Sequence, residues 1–276
     1  WTLNPAQIAL IVTVGSAYAV RARTLSRQGR PVPPSRITLF ATGLALLFLA
    51  FASPLDAVGE RELFTAHMIQ HVILGDLAPL LLLAGLTGPL LQPLLAVLPL
   101  RRLRVLARPL VAYPIWALSF LLWFLPPLFE AANRYDLVHA AFHLSLLAGG
   151  LVLWLPVLET LPAPEWFGSG AKLGYIVASK MTGMVISNVF LWASSPIYDT
   201  YDDGVGAYGI PPLGDQQLAG GVMMTYDSLL LLVAVTWLFL RMAQEGEIRQ
   251  RLLESGLEPR LVHRAVRYRR WRELEG

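Results

Sequence analysis

Apolar residues run through this chain in seven blocks of membrane length, near residues 6–22, 36–52, 63–86, 106–127, 137–157, 172–193 and 217–240. A helix needs about 20 mainly apolar residues to cross a bilayer. Each block is too long for a sheet strand, and none shows the period-2 alternation of a barrel wall. In lipid the backbone must satisfy its own polar groups, so the pattern predicts an all-α membrane protein, a bundle of seven transmembrane helices. The opening stretch "WTLNPAQIALIVTVGSAYAV" has no basic region ahead of its apolar run and is expected to be a first span, not a cleaved leader. Residues 1–242 form the expected transmembrane domain and 243–276 a basic tail. In that tail "EGEIRQRLLESGLEPR" predicts a short helix broken near Gly256 and Pro259.

The polar positions between the blocks alternate in sign. Arg21, Arg23, Arg27, Arg30 and Arg36 fill the first connection, and Arg101, Arg102, Arg104 and Arg108 the third. The tail beyond Arg241 is densely basic. The other connections carry acids: Asp56, Glu60 and Glu62; Glu130 and Asp136; Asp199, Asp202, Asp203 and Asp215. The fifth connection, with little beyond Lys172, is the weakest vote. By the positive-inside rule the arginine loops are cytoplasmic, so the N-terminus is expected outside and the C-terminus in the cytoplasm. The tail reads as a solvated basic end beside anionic headgroups or as a dock for a cytoplasmic partner.

Composition sharpens this picture. Hydrophobic residues make up 55% of the 276, and mean hydropathy is +0.53, too apolar for a soluble domain. Cysteine is absent, which excludes disulfides, thiolate metal sites and a cysteine nucleophile. There is no Gly-x-Ser-x-Gly, P-loop, dinucleotide fingerprint or HExxH, so no ordinary enzyme is expected. No nucleic-acid partner is expected either.

The candidate chemistry lies in two histidine pairs. "FTAHMIQHVIL" places His67 and His71 in the first turns of the third span, and "DLVHAAFHLSLL" places His139 and His143 in the first turns of the fifth. Positions i and i+4 share a helix face. Both spans run inward, and at about 1.5 Å per residue His71 and His143 lie roughly 6–12 Å below the outer boundary. Polar groups inside spans are costly and mark a functional site by default. Imidazoles facing lipid would go unsatisfied, so the two faces are expected to turn toward each other. Met68, beside His67, and Met223 and Met224 on the seventh span reach comparable depth; they are either thioether ligands or ordinary packing. Imidazole with thioether suits copper, and thioether favours Cu(I). Neutral imidazole is the ligand form, so retention should weaken as pH falls. Deeper, Asp76, Lys180 and Asp227 sit near the middle of the third, sixth and seventh spans. They form either an interhelical ion pair that fixes packing or an ion relay.

"SPLD" at 53–56, "HMIQH" at 67–71, "AP" at 78–79, "HAAFH" at 139–143 and "DQQLAGG" at 215–221 together resemble the multi-helix CtaG family of cytochrome c oxidase assembly factors. The resemblance runs from the second span through the seventh; Asp76 and the methionine pair depart from its pattern. It implies an integral protein of the bacterial plasma membrane that helps make active haem–copper oxidase by handling copper, with oxidase subunits as partners. Membrane lipid, an extracytoplasmic copper donor and a second copy of the chain are further expected partners. The expected ligands are His67, His71, His139 and His143, joined by Met68, Met223 and Met224. Asp56, Gln70, Asp136, Asp215 and Gln216 would orient imidazoles or guide cations inward. The alternatives are a copper transporter, a haem-binding membrane protein with facing histidines, and a metal-free scaffold for oxidase assembly.

Overall fold

Prolines open the first helices of the chain, where a missing backbone N–H costs nothing. In this computed structural model α1 spans Pro5–Arg27, α2 Pro34–Ala52 and α3 Pro54–Arg61. Asn4 Oδ1 accepts from the Ala6 amide at 3.0 Å and caps α1; Ser53 Oγ accepts from Leu55 at 3.2 Å and caps α3. The structure describes residues 4–96, 102–161, 163–201, 208–268 and 270–274; among these there are helices and no strand. Arg101, Asp202 and Asp203 lie outside the described residues.

The third apolar block is one continuous stretch with an irregularity in its middle. Helix α4, Phe64–Val72, passes into a π-helical turn, Ile73–Leu77, and continues as α5, Ala78–Gly85. Pro79 explains the turn: a proline cannot donate to the carbonyl four residues back, and its ring crowds it. That carbonyl belongs to Gly75, inside the π turn. It faces Gly150 on α9, Asp136–Leu158, where a Cβ would collide with the Gly75 oxygen and come within 2.7 Å of Pro79. Small residues thus let the two histidine-bearing helices approach closely.

Helix α6 covers Gly88–Ala96, α7 Pro109–Trp123 and α8 Pro126–Arg134. Within the predicted fourth span, 106–127, the α-helix runs over 109–123 and stops before α8 begins at Pro126. Leu125, ahead of two prolines, is extended (φ −68°, ψ 129°), and the chain bends by 71° between α7 and α8. Helix α10 spans Ser169–Trp192, α11 Pro212–Glu254 and α12 Pro259–Arg267. The tail breaks near Gly256 (φ 85°) and Pro259 as its residues predict, but the stretch before the break continues α11 and is not a separate short helix. Among the described residues six helices are long and apolar enough to cross a membrane, and the bent pair is the seventh candidate.

The chain divides into two compact units. One comprises residues 1–163 and 182–225, the other 164–181 and 226–276. In the first unit α2, α5 and α9 pack around Phe40, Leu47, Phe51, Leu74, Leu82 and Leu147. A second apolar cluster there joins Phe64, Met68, Phe124, Phe129, Phe142, Phe190, Tyr198 and Met223. In the second unit Val262 and Val266 of α12 fold back onto Leu252 of α11.

Candidate functional site

The α4 helix has no cap of its own: Leu63 at its N-cap offers no side-chain acceptor. Asp215, in the first turn of α11, supplies one from 150 residues away. Its Oδ2 accepts from the Phe64 amide at 2.6 Å, and its Oδ1 from the Thr65 amide at 3.0 Å and the Thr65 hydroxyl at 2.6 Å. A carboxylate at a helix N-terminus satisfies free N–H groups and complements the helix dipole. Gln216 accepts from the Ile197 amide at 2.7 Å and donates to the Phe190 carbonyl at 3.4 Å. A Cβ on Gly220 would come within 2.7 Å of the Ser187 oxygen. The "DQQLAGG" stretch therefore ties α11 to α4 and α10. Asp215 and Gln216 hold helices and loop in place and do not orient imidazoles directly.

The cap sets where His67 and His71 fall, and the Gly75–Gly150 approach brings α9 beside them. All four histidines are buried. Ring centres of His67 and His139 lie 5.7 Å apart, those of His67 and His143 6.3 Å, and those of His71 and His143 5.6 Å. Within each pair the spacing is 4.1 Å for His67–His71 and 4.3 Å for His139–His143. The two faces meet, as their placement on the spans predicts.

Both ring nitrogens of His71 are buried without a hydrogen-bond partner among the described residues, and those of His67 are buried with only a weak contact to the Gly59 backbone. A buried polar atom with no partner is expensive and calls for a ligand, an ion or water. His139 Nε2 lies 3.0 Å from His143 Nε2, and one of the two must donate. As placed, no three His, Asp or Glu side chains among the described residues converge on one ion-sized point. Imidazoles sharing one ion through bonds of about 2.0–2.1 Å would set their ring centres roughly 5 Å apart, inside the spread observed. The donor set, four imidazoles and no thiolate, fits a borderline or soft ion.

The surroundings sort the other predicted residues. Gln70 donates to Asp56 Oδ1 at 2.7 Å and to the Ala50 carbonyl at 2.8 Å, joining α4 to α3 and α2. Asp56 and exposed Asp136 line a cleft of about 520 Å³ with Glu60, Asn133, His139 and His143. Met68 and Met223 belong to the aromatic cluster, which is the packing reading of their role; Met224 is half-buried and outside that cluster. Lys180 and Asp227 form a buried ion pair, 3.1 Å, in the second unit. Asp76 belongs to the first unit, where its Oδ1 accepts from the Trp154 indole at 2.6 Å.

Three contributors escaped the sequence reading. Glu60 lies 3.6 Å from His139 Nε2; its i+4 spacing from Asp56 on α3 was the available signal. Tyr201 donates to the Gly59 carbonyl at 2.6 Å and sets its ring 6.3 Å from His67. Burial, with Asp215, Glu60 and Glu130 nearby, raises its phenol well above the usual range, so it remains a donor. Phe142 lies 4.4 Å from the His71 ring and walls the cluster. No local pattern marks either aromatic residue.

Residues 16–245 match the family model described as cytochrome c oxidase caa3 assembly factor (Caa3_CtaG). Among curated proteins, uncharacterized proteins of Mycobacterium bovis and Mycobacterium tuberculosis are each 23% identical over 85% of this chain. A third, of Mycobacterium leprae, is 20% identical over 89% of the chain. The chain spans about two fifths of their length, 38–40%. No solved structure matches.

Proposed function

We infer the role of this chain from its kinship: it belongs to the cytochrome c oxidase caa3 assembly factor family. We propose that it acts in oxidase assembly as a copper-binding membrane protein that carries the ion at the outer side of the membrane and passes it to an oxidase copper centre. The observation that carries this reading is the meeting of His67, His71, His139 and His143, with both ring nitrogens of His71 buried and without a hydrogen-bond partner among the described residues. A desolvated cluster of neutral imidazoles is a poor place for any group except a ligand for an ion. The cleft above it, with Asp56, Glu60 and Asp136, gives an entering cation a carboxylate-lined approach.

Counting the bent α7–α8 pair as one span gives seven, with the N-terminal side of α1 outside and the arginine loops in the cytoplasm of a bacterial cell. The histidines then open outward, where an oxidase subunit or an extracytoplasmic donor can reach them. Metal analysis of the protein purified under reducing conditions tests the proposal. Copper should accompany the unsubstituted protein, and His71→Ala or His143→Ala should lower its content at least several-fold without changing the helical circular dichroism. A variant lacking all four histidines that still bound stoichiometric copper and supported oxidase assembly would sink it. An intense Soret band in the purified protein would instead favour haem.

A further inference from the structure

Beyond the histidine site, the first unit holds a second cavity of opposite character. It measures about 430 Å³ and its exposed surface is wholly apolar. Leu10 and Val14 of α1, Phe40 and Leu44 of α2, Leu82 of α5 and Leu151 of α9 contribute its walls. At one end lie residues from the middle of the spans, and at the other Leu86, Leu91, Leu106, Thr160 and Leu161.

That second end is the arginine end of the protein. Arg21 donates to the Pro89 carbonyl at 3.0 Å, and Arg36 to the Ala84 carbonyl, both on the stretch that walls the cavity. Arg104 and Arg108 flank Leu106 and are exposed. Two polar atoms here are buried with no hydrogen-bond partner among the described residues: Arg21 Nε and the Thr160 hydroxyl. An apolar slot walled by segments that carry arginines, with the Thr160 hydroxyl unused in its lining, matches an amphiphile with an anionic head.

We propose that this cleft binds an anionic phospholipid of the leaflet that meets the arginine loops, one acyl chain lying between α1, α2, α5 and α9 and the phosphate among Arg21, Arg104 and Arg108. The lipid fills the space beside α1, a helix only 6% buried over its apolar window. Its chain is held by the apolar walls, and its charge selects the head.

The test uses the full chain purified in neutral detergent, stripped of lipid and reloaded from mixed micelles with phosphatidylglycerol or phosphatidylcholine. Retained phosphorus is then counted. The unsubstituted protein should keep phosphatidylglycerol stoichiometrically and several-fold more of it than phosphatidylcholine. The double variant R104Q/R108Q, altered only at exposed positions, should lose that preference. Leu44→Trp, which fills the slot, should lower retention of both lipids several-fold; Leu151→Phe is the milder variant should the first fail to fold by circular dichroism. Equal retention of the two lipids by the unsubstituted protein overturns the proposal, as does phosphorus binding unaffected by either cavity-filling variant. So does a dimer or a co-purifying polypeptide that disappears with Leu44→Trp, since it would make the slot a protein contact.

Discussion

Asp215 caps a helix from which it is separated by 150 residues. Its carboxylate accepts from two backbone amides and a hydroxyl at the start of α4. Asp215→Ala should therefore cost about 1–2 kcal/mol, the usual worth of an N-cap, read as a lower thermal midpoint in detergent; Asp215→Asn, which keeps one acceptor, should recover part of it. An unchanged midpoint in the alanine variant would show that the cap carries no weight. The histidines make a second prediction at this scale. In the proposed site protons would compete with copper for the imidazole nitrogens, so copper retention should fall as pH is lowered and return on neutralisation. In the all-alanine variant that acid-dependent release should vanish, as metal titration at several pH values would reveal.

At the scale of elements, one buried ion pair invites a coupling measurement. Lys180 on α10 and Asp227 on α11 are 3.1 Å apart and buried. Removing one member of such a pair strands the other and costs about 3–5 kcal/mol, whereas removing both costs less. Lys180→Met should lower the unfolding midpoint strongly, and Lys180→Met with Asp227→Asn should restore part of the loss. Simple additivity in that cycle would mean that the two groups do not interact in the membrane. The π turn at Ile73–Leu77 belongs to the same scale. It follows from Pro79, and the Trp154–Asp76 hydrogen bond pins it to α9 directly below the histidines.

The whole molecule can be tested for orientation with unusual ease, since it has no cysteine. Single cysteines placed at Ser255, beyond the last long helix, and at Asp136, at the mouth of the acidic cleft, should be labelled from opposite sides by a membrane-impermeant maleimide. Asp136→Cys should react in intact cells, and Ser255→Cys only after the membrane is opened. The reverse pattern would place the histidine cleft toward the cytoplasm and remove the basis for delivery to an outward-facing copper centre.

Much of this protein was legible in its sequence because the relevant forces are local. Bilayer thickness dictates the length of an apolar run, so six of the seven blocks became long helices. The i, i+4 spacing alone put each histidine pair on one face, and equal depth implied that the faces meet. Prolines at 79 and 126 act through their own backbone, yet their effects, a π turn and a 71° bend, take form only against neighbouring helices. Tertiary structure alone decided the rest. It placed Asp215 on the cap of α4, Gln70 between Asp56 and Ala50, and Glu60 and Tyr201 beside the imidazoles. It also sent Met68 and Met223 into an aromatic cluster. These contacts join residues far apart in the chain. A side chain's chemical type states what it can bind, but which partner it meets depends on how the helices pack.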